Sequence, residues 1–558
     1  MNAFASHNLK CRPVDTVMDL DRLGTLYPYP LSFMRCLVRK IMAGRWSIDR
    51  AKFELDENGY GEAIYKVNTG DGIYNFVVFS HYLDPADRSD RVIAEKWDMT
   101  ATLCAGELSD ERLKSLRNNV PLQEAGRVDS NCLVLTRANK SSRNFDYVVD
   151  CLAKGKQPNL DVISKVGYIF RTTAVYGSGK FGMADWEKVR ARFPEFASPF
   201  MAEMLVCFLI RQFSLELTDW VAAQKGGEKS VILDDEIKRY IGIGNATGLG
   251  MAPFLITHPK LISNWIHLRE TALRRVLKKP VLPVKFYEFL ATAQKAVQHL
   301  SEIDTDNAEQ NKLNETAREQ MSEFISWTDQ TRPPDWETII TRAAKTYEFE
   351  TQELINSVLL EVYREDIYEL ESELCSVESY RLVPHMTLSE LKGLIETHYD
   401  WALKEDYSAP NSHDTFWYRS EEKMEPRLGQ RSKEPGAEKE MYLGIGYAVK
   451  CCYILIGKKE GNKPVADFVF DHPECRYIIR RIQTMAESPC GEIRANLLDL
   501  DVLPIQLLRC KLSFFGVGKF DPRSRLWVRN TMFQGAPICS DIGKPFQDDW
   551  CFPVRPNV

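Results

Sequence analysis

The residues of this 558-residue chain best suited to chemistry fall in a few glycine-interrupted or arginine-rich segments. The first is Tyr176-Gly-Ser178-Gly-Lys180. Its glycines let backbone N–H groups approach an anion and its lysine supplies charge, so Ser178 and Lys180 are candidate substrate contacts. It is not a P-loop, because Ala174 stands where that motif needs glycine and Phe181 where it needs a magnesium-binding hydroxyl. A plain strand-to-helix turn accounts for the same residues. The second segment, 240–259, carries four glycines in nine residues, with Asn245 and Thr247 as hydrogen-bonding side chains and His258 as a proton carrier. A dinucleotide fingerprint fails there: Thr247 replaces the third glycine and the preceding LDDEIKRY reads as helix. A close helix–helix crossing is the simpler expectation for its glycines.

The third segment, 414–431, has three consecutive aromatics and then arginines interleaved with glutamates. Arg419, Arg427 and Arg431 are of the type that grips a carboxylate or phosphate bidentately, and Tyr418 and Glu421 are placed for proton transfer. An exposed loop whose Arg and Glu pair with one another explains the pattern equally well. A further basic cluster is Lys519, Arg523, Arg525 and Arg529, of which the first three complete the candidate substrate contacts. His472-Pro-Glu474 followed by Pro489-Cys490 approaches the signature of the zinc-dependent deaminases. The deaminase signature needs a second thiolate at 493, where this chain has Ile, so no metal set is assigned. No nucleophile elbow is present. Flavin or haem needs no linear motif, and the cofactor is left open.

These segments must be positioned by regular elements. Near the N-terminus, 51–55, 61–67 and 72–81 are rich in β-formers, with Asn68-Thr-Gly70-Asp-Gly72 as a hairpin loop, and 91–103 and 132–137 add strands. Residues 198–224, 260–279 and 284–300 read as helices, the first opened by Ser198-Pro199. Thr387 and Glu390 form a capping box for another. Residues 446–457 and 464–470 are read as a second hairpin on their β-branched and aromatic content. The order aromatic-Gly-x-Gly-Lys-Phe occurs at 176–181 and again at 515–520, which would fit an internal duplication of the two ends. The expected fold is α+β, with β-containing ends at 1–185 and 406–558 flanking a mainly helical 186–405.

Composition is that of an ordinary globular chain, 44% hydrophobic and 27% charged, which excludes disordered and fibrous classes. Fourteen cysteines without the C-x-x-C pairs of zinc ribbons read as small buried hydrophobes of a reducing, cytoplasmic protein. The start lacks the apolar core of a signal peptide, and the most apolar stretch, 199–210, is too short to span a membrane. A net charge of −6 argues against nucleic acid as partner. That charge is uneven: residues 301–376 hold 19 acidic against six basic residues, a balance of −13, so the remainder carries +7. The block is expected to be a helical layer with acidic outer faces. Taken together, the sequence points to a small-molecule enzyme, its reaction undefined, holding an anionic substrate with Arg and Lys from these loops. The alternative is a scaffold that docks a basic partner or a second copy of itself on the acidic block.

Overall fold

The computed structural model describes residues 12–23, 29–87, 96–123, 127–177, 191–247, 259–374, 381–408, 417–420, 426–428, 440–442, 445–492, 509, 513–522 and 528–557. The fold is α+β. Two compact units interleave along the chain: Met1–Thr25, Gly248–Lys279 and Glu373–Lys511 form the smaller, and Leu26–Thr247, Pro280–Ser372 and Leu512–Val558 the larger. The strands are β1 (Ser47–Leu55), β2 (Gly61–Asn68), β3 (Ile73–Ser80), β4 (Met99–Ala105), β5 (Cys132–Lys140), β6 (Tyr168–Gly177), β7 (Gly242–Thr247), β8 (Trp417–Ser420), β9 (Pro426–Leu428), β10 (Glu440–Tyr442), β11 (Lys519–Pro522) and β12 (Val528–Met532).

The larger unit is organised by a nine-stranded sheet in the order β1-β2-β3-β4-β5-β6-β7-β12-β11. Neighbours run antiparallel except β6 and β7, which are parallel and therefore need a crossover. The helix Met201–Gly226 lies in that crossover and packs on β4 to β7. Farther along the same helix, Glu216 accepts hydrogen bonds from Tyr65 of β2 at 3.0 Å and Arg50 of β1 at 3.1 Å. Its Phe208 ring lies 5.6 Å from Phe533, just past β12. Strands from both ends of the order thus meet one helix, which means the sheet curls around it. The β2–β3 hairpin forms as its loop residues predict: Thr69 N–H donates to the Gly72 carbonyl at 3.0 Å, and Gly70 takes a left-handed φ of +89° that a side chain would strain.

Arg211 sits inside this core, 1% exposed. Its guanidinium donates to the carbonyls of Lys238, Arg239, Ile241, Ala536 and Pro537 at 2.7–3.0 Å. Three of these are carbonyls at the C-terminal end of the helix Asp235–Tyr240, where no intrahelical donor is left for them. Burial pulls the Arg211 pKa down to about 9, so the group is still charged at neutral pH.

The acidic stretch is helical, as its periodicity predicts: Pro283–Ser301, Ala308–Thr331, Trp336–Thr346 and Phe349–Val362. Leu354, Ile355, Val358 and Leu359 are fully buried, whereas Asp304, Glu315, Glu323 and Asp329 are exposed. Not all of its charge faces solvent. Glu361 receives Arg35 Nη2 at 2.8 Å, and Glu371 receives Arg39 at 3.1 Å and lies 3.4 Å from Lys40. Asp548 accepts from Arg35 Nε and Arg39 Nη1, both at 2.9 Å, and from the Tyr368 hydroxyl at 3.1 Å. The basic helix Phe33–Ala43 therefore supplies counter-ions to the acidic layer and to a C-terminal carboxylate. Those two guanidinium groups hold the Asp548 pKa below its ordinary value despite burial.

In the smaller unit, the helices Leu388–His398, Ile445–Ile456 and Arg476–Thr484 pack together, and Pro259–Leu277 packs on the last of them. The Thr387–Glu390 capping box is formed, with Glu390 N–H donating to Thr387 Oγ1 at 3.2 Å and Thr387 N–H to Glu390 at 2.8 Å. Buried Arg481 is held by Glu492 at 2.8 and 2.9 Å, and Tyr399 donates to the same carboxylate at 3.1 Å.

Four local expectations are corrected. Residues 446–457 and 464–470 are not a hairpin but the helices Ile445–Ile456 and Val465–Asp471. Ile445, Val449, Cys452 and Ile456, spaced four, three and four apart, bury one stripe, and that period outweighed β-branched content. The glycines at 242 and 244 serve strand β7 rather than a helix crossing. A Cβ on Gly244 would come 2.5 Å from the Tyr168 ring of β6, and one on Gly242 would strike the Met532 carbonyl of β12. Ser198-Pro199 does not cap the long helix, which starts at Met201 after a left-handed Phe200; Ser198 instead accepts from Lys40 at 3.3 Å. Part of 414–431 is strand, with β8 between β9 and β10 in a small antiparallel sheet. The two Gly-Lys-Phe copies also differ locally, since Tyr176-Gly177 ends a strand while residues 513–515 are helical and Lys519 opens β11. No helix among the described residues is long and apolar enough to cross a membrane.

Removing Asp548 leaves Arg35 and Arg39 with an uncompensated buried charge. Asp548→Ala is expected to lower stability by about 3–5 kcal/mol, read as a fall in the urea midpoint. An unchanged midpoint would remove the network from the account.

Candidate functional site

The sheet topology brings together the ends of several strands that precede the sequence candidates. Parallel β6 and β7 finish at Gly177 and Thr247, and β12 begins at Val528, the register partner of Thr247 and of Pro522 at the end of β11. Ser178 and Arg523 are the next residues after two of these ends. Ser178, Lys180, His258, Glu421, Arg431, Arg523 and Arg525 lie outside the described residues. For Thr247, Tyr418, Arg419 and Arg427 only the strand is described, the first in β7 and the others in β8 and β9 of the smaller unit.

Two candidates have full side-chain surroundings. Asn245 donates from Nδ2 to Thr172 Oγ1 at 2.9 Å and is the register partner of both Thr172 and Asn530, so the three share one face of the sheet. Asn530 is 1% exposed, yet its Oδ1 and Nδ2 have no hydrogen-bond partner among the described residues. A buried amide without partners is costly and marks a place for water or a polar ligand. Lys519 pairs in register with Thr531, whose neighbour Asn530 faces the other way, and its ammonium is spent on the Ser164 carbonyl. It therefore does not join Asn245.

At the opposite end of the strands lies a site that the motif search missed. A cavity of about 410 Å3 is lined by His81, Tyr82, Leu83, Asp84, Lys96, Trp97, Thr100 and Pro121. Strand pairing builds it. β3 runs into His81 and β4 starts at Met99, and the His81 N–H donates to the Asp98 carbonyl at 2.7 Å, holding the two ends together. Asp98 is itself fixed: its carboxylate accepts from Lys140 N–H at 2.9 Å, and its own N–H donates to Asn139 at 3.0 Å. His81 Nε2 and Thr100 Oγ1 are 3.0 Å apart. With the ring proton on Nδ1, the threonine hydroxyl donates to Nε2, which is the geometry of a base beside a hydroxyl. Burial lowers the His81 pKa, so the imidazole is neutral and able to accept a proton at neutral pH. Trp97 and Tyr82 supply aromatic walls. The Arg137 guanidinium lies 4.3 Å from the centre of the Trp97 ring, and Tyr60 meets Tyr82 edge-on at 5.8 Å. The signal in the sequence was the switch from an apolar strand to Ser80-His-Tyr-Leu-Asp84, which marks a strand end carrying polar groups.

Among the described cysteines, eight of eleven are buried thiols, as expected of small core residues. Cys104 and Cys132, paired in register on β4 and β5, bring their sulfurs to 3.5 Å. A carboxyl of unusual acidity belongs to Glu203 in the first turn of the long helix, where burial pushes its pKa up to about 7. A raised carboxyl pKa makes folding less favourable as pH rises from about 4.5 to 7, because the unfolded chain ionises first. Glu203→Gln is expected to raise stability by about 2 kcal/mol at pH 8 and not at pH 4, as measured by paired urea titrations. An equal effect at both pH values would contradict the burial of this carboxyl. No family model matches this chain, and neither a curated protein nor a solved structure matches it.

Proposed function

We propose that the protein is a small-molecule enzyme acting on an anionic substrate, with His81 as the proton-accepting group and Lys96 as the countercharge. The observation that carries the reading is the His81 imidazole, 3.0 Å from a hydroxyl and lining an open cavity of small-molecule size. Lys96 at the rim favours a carboxylate or phosphate on the ligand, and the aromatic walls favour a flat or apolar body. The described cysteines, mostly buried thiols, fit a cytoplasmic setting.

The glycine-flanked residues Ser178 and Lys180, with Arg523 and Arg525, follow in sequence the strands that finish at the other end of the sheet and are the rival seat for the anion. Two features separate the seats experimentally. Thermal-shift titration with a panel of small carboxylates and phosphate esters should identify a stabilising ligand. Its shift is expected to vanish in Lys96→Ala and to persist in Lys180→Ala and Arg523→Ala. His81→Gln is expected to retain the ligand within about threefold while abolishing turnover of it. Loss of binding in the Lys180 and Arg523 variants alone would move the site to the opposite end of the strands, and no ligand response at all would leave the scaffold alternative. That alternative is weakened by Glu361 and Glu371, which are already paired within the chain.

A further inference from the structure

Two thiols of the larger unit are placed for chemistry that the enzyme reading does not use. Cys104 of β4 and Cys132 of β5 hold their sulfurs 3.5 Å apart, in contact. They are register partners, and the ladder bond falls on the next pair: Ala105 N–H donates to the Asn131 carbonyl at 2.9 Å, while Cys132 N–H turns away to Asp129 at 3.0 Å. The cysteines are therefore a non-hydrogen-bonded pair, in which antiparallel Cα atoms lie about 4.5 Å apart, within the span of about 4.4–6.8 Å that a disulfide bridges. A cation stands beside them. Arg112 donates to the Ala105 carbonyl at 2.8 Å and to Asp129 at 3.0 and 3.2 Å, and its charge favours a thiolate at either sulfur. A hydrogen bond from the Cys104 thiol lowers the Cys132 pKa, so Cys132 ionises first.

The pair is covered, Cys104 completely and Cys132 to 5% exposure, but the cover is thin. The helix Asp110–Asn119 packs on the cluster that holds both cysteines, and Leu116 is the one residue of that helix that is buried. Leu113 is partly buried against the same cluster. The other attachments are ion pairs near the surface, Arg112 with Asp129 and Arg117 with Glu62. An element held by so few apolar contacts opens locally at far lower cost than the fold as a whole.

We infer that Cys104 and Cys132 are a redox-modification site, closing to a cross-strand disulfide when a hydroperoxide reaches them beneath the helix Asp110–Asn119. The Cys132 thiolate attacks one peroxide oxygen, the O–O bond breaks, and the departing alkoxide takes up the proton that Cys132 released. The Cys104 sulfur then displaces the oxygen from the Cys132 sulfenic acid, and water leaves with the Cys104 proton. Two thiols and one hydroperoxide thus give one disulfide, one alcohol and one water, or two waters from hydrogen peroxide. A dithiol reverses the bond by exchange, as suits a transient disulfide in a reducing compartment.

Hydrogen peroxide in small excess over the native full chain is the probe, followed by alkylation of the remaining thiols and mass spectrometry of tryptic peptides. Cleavage at Lys96, Arg112, Arg127 and Arg137 yields peptides 97–112 and 128–137, each with a single cysteine. They are expected joined, lighter by two hydrogens than the separate pair, and parted again by dithiothreitol. Leu113→Ala, which loosens the covering helix, is expected to speed the joining severalfold. Oxidation is expected to raise the urea midpoint of the wild-type chain, because the bond shortens the unfolded loop, and not that of the near-isosteric Cys132→Ser. His81→Gln should leave the joining unchanged, so failure here and failure of the enzyme reading are told apart. The inference is overturned if the two peptides are recovered alkylated and separate, or if they join only once urea has unfolded the chain. An unchanged rate in Leu113→Ala would overturn it as well.

Discussion

The constraint on which the larger unit depends is the neutralisation of buried carboxylates by the helix Phe33–Ala43. Arg35 and Arg39 reach Glu361 in the acidic helical layer and Asp548 near the C-terminus, so three stretches far apart in sequence are tied at one point. A buried ion network of this kind contributes little net stability compared with apolar packing, but leaving one member unpaired is costly. Its effect is to fix which segments meet. The −13 block is therefore not simply an acidic face turned outward. Part of its charge is internal, and the +7 elsewhere is partly its counter-ion.

The same logic runs through the core. Arg211 satisfies five carbonyls that no regular element could satisfy, and it does so from the middle of the helix around which the sheet curls. Curling in turn sets the two ends of the strands apart. At one end β6, β7 and β11 finish and β12 begins, and the other holds His81, Thr100 and the cavity that they line. At the second end, named side chains at hydrogen-bond distance border an open cavity of small-molecule size.

Much of this architecture was legible from residue patterns. The N-terminal strands, the Asn68–Gly72 loop, the helical acidic block and the Thr387–Glu390 cap follow from local chemistry that acts over a few residues. What local chemistry could not reveal was long-range pairing. Gly242 and Gly244 looked like a helix crossing because Tyr168 and Met532, the groups that exclude a Cβ, lie far away in sequence. Residues 445–456 looked like a strand because side-chain type was weighed above the spacing of Ile445, Val449, Cys452 and Ile456. The site was harder still: His81 and Thr100 are 19 apart and unremarkable in sequence, and only the antiparallel β3–β4 pairing makes them neighbours.

The account rests most heavily on His81 being a neutral base facing a hydroxyl. Long-range 1H–15N NMR of the imidazole across pH 5 to 8 measures this directly. A single neutral tautomer at pH 7, protonated on Nδ1 and titrating below the ordinary histidine range, is the result expected of a base that accepts from Thr100. An imidazole that is charged at pH 7, or one protonated on Nε2, would contradict it.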